Sequence, residues 1–312
     1  MGSVNSQEAK TTIKDFEVVN KIGDGAYGSV FKAKEKRTGD TVAIKRVDFD
    51  IGEDDEYYIP PTSLREINIM SACDHPNIIG YRTSMIDSDI NAVFLVMDHA
   101  VTDLWTHLDE SQECLDEITV KKLMLQLLNG VSYLHSHKIV HRDLKPNNVL
   151  LTGGAGEELK LKICDFGLSK RFESRYQEES TEYDLLSQTV ASRWYRAPEI
   201  LLEEKKYTAA IDVWSVGCIM AEMVMKEALF DGNTMSDQLI MISSVLGSPE
   251  LESWQGLRMK VPATRLSEQG FDLLWKLLAL NPKKRISAKD ALKHPWFKNH
   301  SSSHSTTSML KT

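Results

Sequence analysis

Between Ile139 and Glu199 the chain carries three short clusters in a fixed order: His141-Arg142-Asp143-Leu144-Lys145-Pro146-Asn147-Asn148, Asp165-Phe166-Gly167 and Ala197-Pro198-Glu199. Singly, each is weak. Together, in this order, they restrict the architectures open to the chain more than any other feature. Asp143 can take a proton from a hydroxyl. Asn148, five residues on, and Asp165 offer the hard oxygen atoms that Mg²⁺ prefers when it shares its shell with phosphate and water. Lys145 stands two residues past Asp143, where a point charge can meet a moving phosphoryl group.

The 312 residues suit one large two-lobed domain or two medium ones, and an apolar content of 42% supports a sizeable core. A net charge of −8 and a pI near 5.6 argue against direct nucleic-acid binding. The longest apolar run, Ile211 to Met225, is interrupted by Asp212, Ser215 and Glu222 and is short for a membrane span, so it predicts a buried helix and no membrane contact. No basic-plus-apolar leader opens the sequence. The four cysteines, Cys73, Cys114, Cys164 and Cys218, have neither zinc spacing nor disulfide density. An intracellular protein is expected, nuclear or cytoplasmic.

Residues 1 to 14 and 299 to 312 lack pattern and are expected to be disordered. Phe16 to Ile22, Ser29 to Ala33 and Thr41 to Val47 read as strands rich in β-branched residues. The first two flank Gly23-Asp24-Gly25-Ala26-Tyr27-Gly28-Ser29-Val30. A strand follows the glycines where a dinucleotide fingerprint would open a helix, so a hairpin over phosphates fits better. Lys45, in Val42-Ala43-Ile44-Lys45, has apolar flanks that point it inward. Asp48 to Tyr58 reads as a solvated acidic loop. Pro60-Pro61-Thr62-Ser63 predicts a helix start with hydroxyls able to cap it, followed by an apolar face of Leu64, Ile67 and Met70. Glu66, on the adjacent stripe, is the expected partner of Lys45.

Tyr81 to Ile86 and Ala92 to Met97 complete five antiparallel strands. Residues 98–101, Asp98-His99-Ala100-Val101, form a connector whose backbone can bond an adenine edge, with Met97 guarding the pocket behind. Beyond it the period turns helical: Leu123, Leu127, Val131 and Leu134 recur at four, four and three residues. His135 and His137 read as helix-terminal rather than as metal ligands. Short strands are predicted at Val149 to Leu151 and Leu161 to Ile163 around the glycines at 153 to 156. Further helices are predicted at Ser236 to Leu246, Phe271 to Leu280 and Ala288 to Leu292.

From Phe16 to Phe297 these motifs resemble the protein kinase superfamily, and Pro61-Thr62-Ser63-Leu64-Arg65-Glu66-Ile67, Trp194-Tyr195-Arg196-Ala197-Pro198-Glu199 and Leu246-Gly247-Ser248-Pro249 are similar to the cyclin-dependent kinases. The resemblance implies an α+β bilobal fold: a small lobe (15–97) of a five-stranded antiparallel sheet plus one helix, a connector (98–101) and a larger, mainly helical lobe (102–298). It implies transfer of the ATP γ-phosphate to Ser or Thr followed by Pro, with Mg²⁺ and a cyclin-type regulatory subunit. Lys45, Glu66, Asp143 and Lys145 would act in catalysis. Ile22, Gly23, Gly25, Gly28, Val30, Ala43, Lys45, Met97, Asp98, Ala100, Asp103, Asn148 and Asp165 would hold the nucleotide, with Asn148 and Asp165 on the metal. Arg196 would shape the pocket for the substrate proline. Glu199 and Arg285 match a structural ion pair.

Cyclin pressing on the Pro61–Met70 helix would close the Lys45–Glu66 pair. Ser187, seven residues before Trp194, stands at the family's activating phosphosite, to be clasped by Arg65, Arg142 and Lys170. Lys170 replaces the family's third arginine, and a lysine makes a point contact rather than a fork. Ala26 replaces a phosphorylatable threonine, leaving Tyr27 as the inhibitory site in the glycine loop. Thr181-Glu182-Tyr183 is similar to the MAP kinase dual-phosphorylation motif, but its tyrosine lies eleven residues before Trp194, and Thr189 occupies the five-residue position that family uses. Asp103-Leu104-Trp105 is similar to the Mediator-associated branch. A cyclin-independent, MAP kinase-like proline-directed enzyme and a pseudokinase scaffold are the competing readings.

Overall fold

The computed structural model describes residues 11–25, 28–51, 57–153, 158–172, 193–204, 206–248, 251–252 and 254–298. Tyr27 and Ser187 lie outside them, as do Ala26, the Thr181-Glu182-Tyr183 motif, Thr189 and both termini. The chain divides into two units. The first comprises the residues up to Ala100 together with Asp165–Gly167, and the second comprises Val101–Cys164 and the residues from Leu168 onward.

In the first unit β1 (Phe16–Gly25), β2 (Gly28–Glu35), β3 (Thr41–Asp48), β4 (Tyr81–Asp87) and β5 (Ala92–Asp98) form one antiparallel sheet in the order β1-β2-β3-β5-β4. The expected five-stranded sheet is therefore present. Ala33, Val42, Ile44, Phe94 and Val96 build its core together with Phe16 and Met85. Alternation along β3 turns Val42 and Ile44 away from Ala43 and Lys45, and all four are buried, as a central strand covered on both faces requires.

The helix α1 (Pro61–Ser71) corrects two expectations. Pro60 occupies its N-cap with no side-chain cap, while Thr62 and Ser63 are buried and the Ser63 hydroxyl has no partner among the described residues. Its inward face carries Glu66, Ile69 and Met70, whereas Leu64 is 48% exposed. Glu66 at 3% exposure sets that rotation: a carboxylate driven inward to meet a lysine outweighs the outward turn of one leucine. The acidic stretch after β3 also holds more order than expected, since Asp50–Ile51 pairs with Tyr57–Tyr58.

The second unit is built on α3 (Glu117–Ser136) and α4 (Ala210–Met225), preceded by the short α2 (Leu104–Glu110). The period read from Leu123, Leu127, Val131 and Leu134 is the buried face of α3, and Asp116 caps it by accepting from the Thr119 amide. In α4 every residue from Ile211 to Val224 is buried. The apolar run is thus an interior helix, and none of the described helices is long and apolar enough to cross a membrane. Thr102–Asp103, Val149–Thr152 and Lys160–Ile163 form a three-stranded sheet, and Ile139–Val140 pairs with Lys170–Arg171. Then come α5 (Met235–Leu246), α6 (Trp254–Lys260), α7 (Glu268–Leu277) and α8 (Ala288–Ala291). α7 starts earlier than its apolar pattern suggests because Ser267 caps it by accepting from the Gly270 amide, and it ends at Leu277 rather than Leu280.

Candidate active site

In the first unit, register puts Lys45 opposite Val30 on β2 and Leu95 on β5. Its Nζ lies 2.7 Å from Glu66 Oε2 and 3.5 Å from Asp165 Oδ1. Burial pushes the Glu66 carboxyl up and the Asp165 charge adds to this, while Lys45 and the Phe166 backbone amide oppose it. The expected pairing of Lys45 with Glu66 is thus present in the geometry. Asp165 is held at φ 65°, a left-handed conformation that costs a non-glycine residue about 1–2 kcal/mol. Strain at that position fixes the direction of a carboxylate that stays 31% exposed. Arg65 Nη1 donates to the Gly167 carbonyl at 3.2 Å.

The glycine-rich hairpin has Gly23 opposite Val30, Asp24 opposite Ser29 and Gly25 opposite Gly28. Ser29 Oγ donates to Asp24 Oδ1 at 2.7 Å. Only glycine fits at Gly28: its φ is 133° and a Cβ there would lie 2.1 Å from the Arg46 carbonyl oxygen. Ile22, before the glycines, is 45% exposed. Ala43 and Met97 face each other across β3 and β5, both buried. At the start of the connector the Asp98 amide donates to the Gly80 carbonyl at 2.9 Å, and its carboxylate accepts from Arg82 Nε at 3.1 Å. Ala100 closes the first unit.

In the second unit, the pair Ile139–Val140 delivers the chain into the loop that carries Asp143. Lys145 Nζ sits 2.8 Å from Asp143 Oδ2, and Asn148 Nδ2 donates to the Asp143 carbonyl at 2.7 Å and to Oδ2 at 3.2 Å. These bonds occupy the amide nitrogen of Asn148, so its oxygen is the atom that a metal could use. The loop is tied down by Asp212, which accepts from the amide of His141 at 2.8 Å, from that of Arg142 at 2.9 Å and from His135 Nε2 at 2.9 Å. Burial alone would raise the Asp212 carboxyl, but the His135 hydrogen bond, the electrostatic interactions with both imidazoles and the His141 amide outweigh it and hold the pKa low.

His141 Nδ1 accepts the Asp143 amide at 3.3 Å, so Nε2 carries the proton it shares with the Cys164 carbonyl at 2.9 Å. Arg142, at φ 70°, gives Nε to the Leu168 carbonyl at 2.5 Å and Nη1 to the Tyr207 hydroxyl at 3.0 Å. Arg196 lines a pocket with Asp143, Leu144, Ala197 and Ile200. Glu199 and Arg285 form the expected buried pair, bidentate at 2.8 and 3.1 Å.

The geometry therefore groups Lys45, Glu66 and Asp165 in one unit and Asp143, Lys145, Asn148 and Arg196 in the other. Asp103 caps α2: its carboxylate oxygens accept from the Thr106 amide at 3.0 Å and the Thr106 hydroxyl at 2.8 Å. Asp212 was missed as a positioning residue. Its signal was an aspartate in an apolar run, since a fully buried carboxylate must have partners.

A family model described as protein kinase domain matches residues 16–297, and the chain belongs to that family. It is 40% identical over 95% of its length to "Cyclin-dependent kinase G1" of Arabidopsis thaliana, a match covering 51% of that protein. It is 38% identical over 95% of its length to "Serine/threonine-protein kinase ppk23" of Schizosaccharomyces pombe, covering 76% of it. "Cyclin-dependent kinase 11A" of Homo sapiens is 37% identical over 92% of the chain, with 37% of the relative covered. Two of these relatives are named as cyclin-dependent kinases, a similarity that the motifs led us to expect. The chain spans about half the length of the first of these relatives.

Proposed function

We propose that the chain transfers the terminal phosphoryl group of ATP to serine or threonine in proteins and is switched by a cyclin-type subunit. The observation that carries this reading is the buried Lys45–Glu66 contact at 2.7 Å, with Asp165 within reach of the same ammonium. Lys45 is held ready for phosphate oxygens. The hairpin at Gly28 has backbone where a side chain would obstruct it, which suits a nucleotide, and Asp165 and the Asn148 oxygen are donors of the kind Mg²⁺ takes. Bound Mg²⁺–ATP supplies the electrophilic phosphorus and the neutralisation of its charge.

Asp143 orients the substrate hydroxyl and accepts its proton as the oxygen bonds to phosphorus and ADP leaves. Lys145, 2.8 Å from that carboxylate, places a positive charge beside the reaction. Arg196, beside Asp143 in the same pocket, is read as the residue that shapes the seat of a following proline. Exposed Leu64 on α1 supports a partner on that helix, and phosphate on Ser187 is the proposed second switch. An intracellular setting follows from these partners. The reading is tested by transfer to a Ser-Pro peptide with and without added cyclin: a rate that cyclin raises supports it.

A second reading, a kinase that needs no cyclin, is favoured by one observation. Lys45 and Glu66 are in direct contact at 2.7 Å. Full activity of the lone chain, unchanged by cyclin, would establish it.

A further inference from the structure

Arg142 immediately precedes Asp143 and is held at φ 70°, a left-handed conformation that a residue with a side chain keeps only under restraint. Asp212 Oδ1 accepts its amide at 2.9 Å, and the Leu168 carbonyl accepts its Nε. Tyr207 adds a third anchor, its hydroxyl accepting from Nη1 at 3.0 Å. Tyr207 lies five residues before Asp212, in the approach to α4. One short stretch of chain therefore grips Arg142 at its amide and at its guanidinium.

The Tyr207 side chain is buried, 4% exposed, and its ring meets the Phe172 ring edge-on with centroids 6.1 Å apart. Phe172 follows the Lys170–Arg171 strand that pairs with Ile139–Val140, and its amide donates to the Lys138 carbonyl at 2.8 Å. That packing asks for an aromatic ring, and phenylalanine would serve it equally well. A buried hydroxyl is costly unless it is hydrogen-bonded, so what accounts for the oxygen is Arg142. The bond is charge-assisted, and such a bond is comparable in size to the strain of one left-handed residue. Without it Arg142 relaxes toward an ordinary φ, and that rotation swings the carboxylate of Asp143, the next residue.

We propose that Tyr207 is a positioning residue for phosphoryl transfer: its hydroxyl holds Arg142 and thereby sets the direction of the Asp143 carboxylate. The proposal rests on the reading of Asp143 given above and adds a residue to it. Tyr207 touches neither Lys45 nor Glu66, so its loss slows transfer without weakening the hold on the nucleotide.

Tyr207→Phe removes the oxygen and keeps the ring. With cyclin and a Ser-Pro peptide, kcat falls about tenfold while KM for ATP stays within about twofold. Hydrogen exchange of the amides of residues 141–144, read by mass spectrometry on the chain alone, accelerates about tenfold, whereas the amides of α3 keep their rates. In the Arg142→Ala background Tyr207→Phe changes kcat by less than about twofold, because the partner is already gone. Should Tyr207→Phe not fold, Tyr207→His decides, since a ring nitrogen can accept from Arg142. A kcat within about threefold of the unaltered chain then supports the proposal, and a loss of about tenfold overturns it. Unchanged kcat and exchange in Tyr207→Phe overturn it, as does an equal loss in the Arg142→Ala background, which would leave the hydroxyl a purely structural role. Exchange needs no turnover. A chain that exchanges as stated but transfers no phosphate sinks the kinase reading alone, whereas transfer that Tyr207→Phe leaves untouched sinks this inference alone.

Discussion

Asp212 holds the backbone of Arg142: its Oδ1 accepts the Arg142 amide at 2.9 Å, from the first turn of a helix seventy residues away in sequence. Its other oxygen takes the His141 amide and His135. The loop that carries Asp143 is therefore positioned from α4, the most buried helix of the second unit.

Asp212→Asn keeps the volume but replaces one acceptor oxygen by a donor, leaving a loop amide facing an N–H. About 2–4 kcal/mol of stability should be lost, through unpaired buried polar groups. Phosphoryl transfer should fall about a hundredfold as the loop loosens, while ATP affinity stays within about twofold. Urea melts and kcat and KM on one peptide check this.

Glu222 gives a pH signature. Buried beside Cys218, it accepts from the Tyr195 hydroxyl at 2.7 Å, and burial pushes its pKa up to about 7 from an ordinary 4.5. A carboxyl raised in the folded state contributes stability fully below about pH 4.5, and the contribution is lost as pH climbs through about 7. The difference amounts to about 3 kcal/mol. Glu222→Gln, which can still accept from Tyr195, should remove that decline and make the protein more stable than the original at pH values above 7. Denaturation midpoints across this range read it directly.

Glu199 and Arg285 are buried, and Arg285 also lies 5.2 Å over the Trp214 ring. Arg285→Ala strands a buried carboxylate and should cost about 3–5 kcal/mol. Arg285→Lys should recover less than half of that, because an ammonium cannot make the two parallel bonds. Calorimetric melting of the two variants separates pairing from charge.

Lys45→Met and Glu66→Gln separate holding from contact. Lys45→Met removes the cation and should lower transfer about a thousandfold. Glu66→Gln leaves the cation but loosens it, so a fall of about tenfold to a hundredfold is expected, with both variants folded by circular dichroism. Equal losses would mean that Lys45 acts only through the pair.

Much of this was legible because local patterns agree with the fold. The glycine spacing foretold a hairpin, and Gly28 at φ 133° shows why. Leu123, Leu127, Val131 and Leu134 marked the inner face of α3 by period alone. The resemblance anticipated the Lys45–Glu66 and Glu199–Arg285 pairs. What it could not convey were choices made by packing. Leu64 looked like core, yet α1 rotates to bring Glu66 to Lys45. The cap that Asp103 provides for α2, by accepting from Thr106 three residues on, is another feature that the reading of its motif passed over. Asp212 looked like a blemish in an apolar run, and only the tertiary structure reveals the two amides and the histidine that it serves.

The central claim is that Asp143 and Asp165 act in metal-dependent phosphoryl transfer. The most direct test follows radiolabel from the γ-phosphate of ATP into a Ser-Pro peptide while Mg²⁺ is titrated, with cyclin present, for the unaltered chain, Asp143→Asn and Asp165→Asn. The account predicts Mg²⁺-dependent labelling of serine by the first and a loss of about a thousandfold in both variants, each still folded. Labelling that proceeds at the same rate in either variant, or in the absence of Mg²⁺, would contradict it.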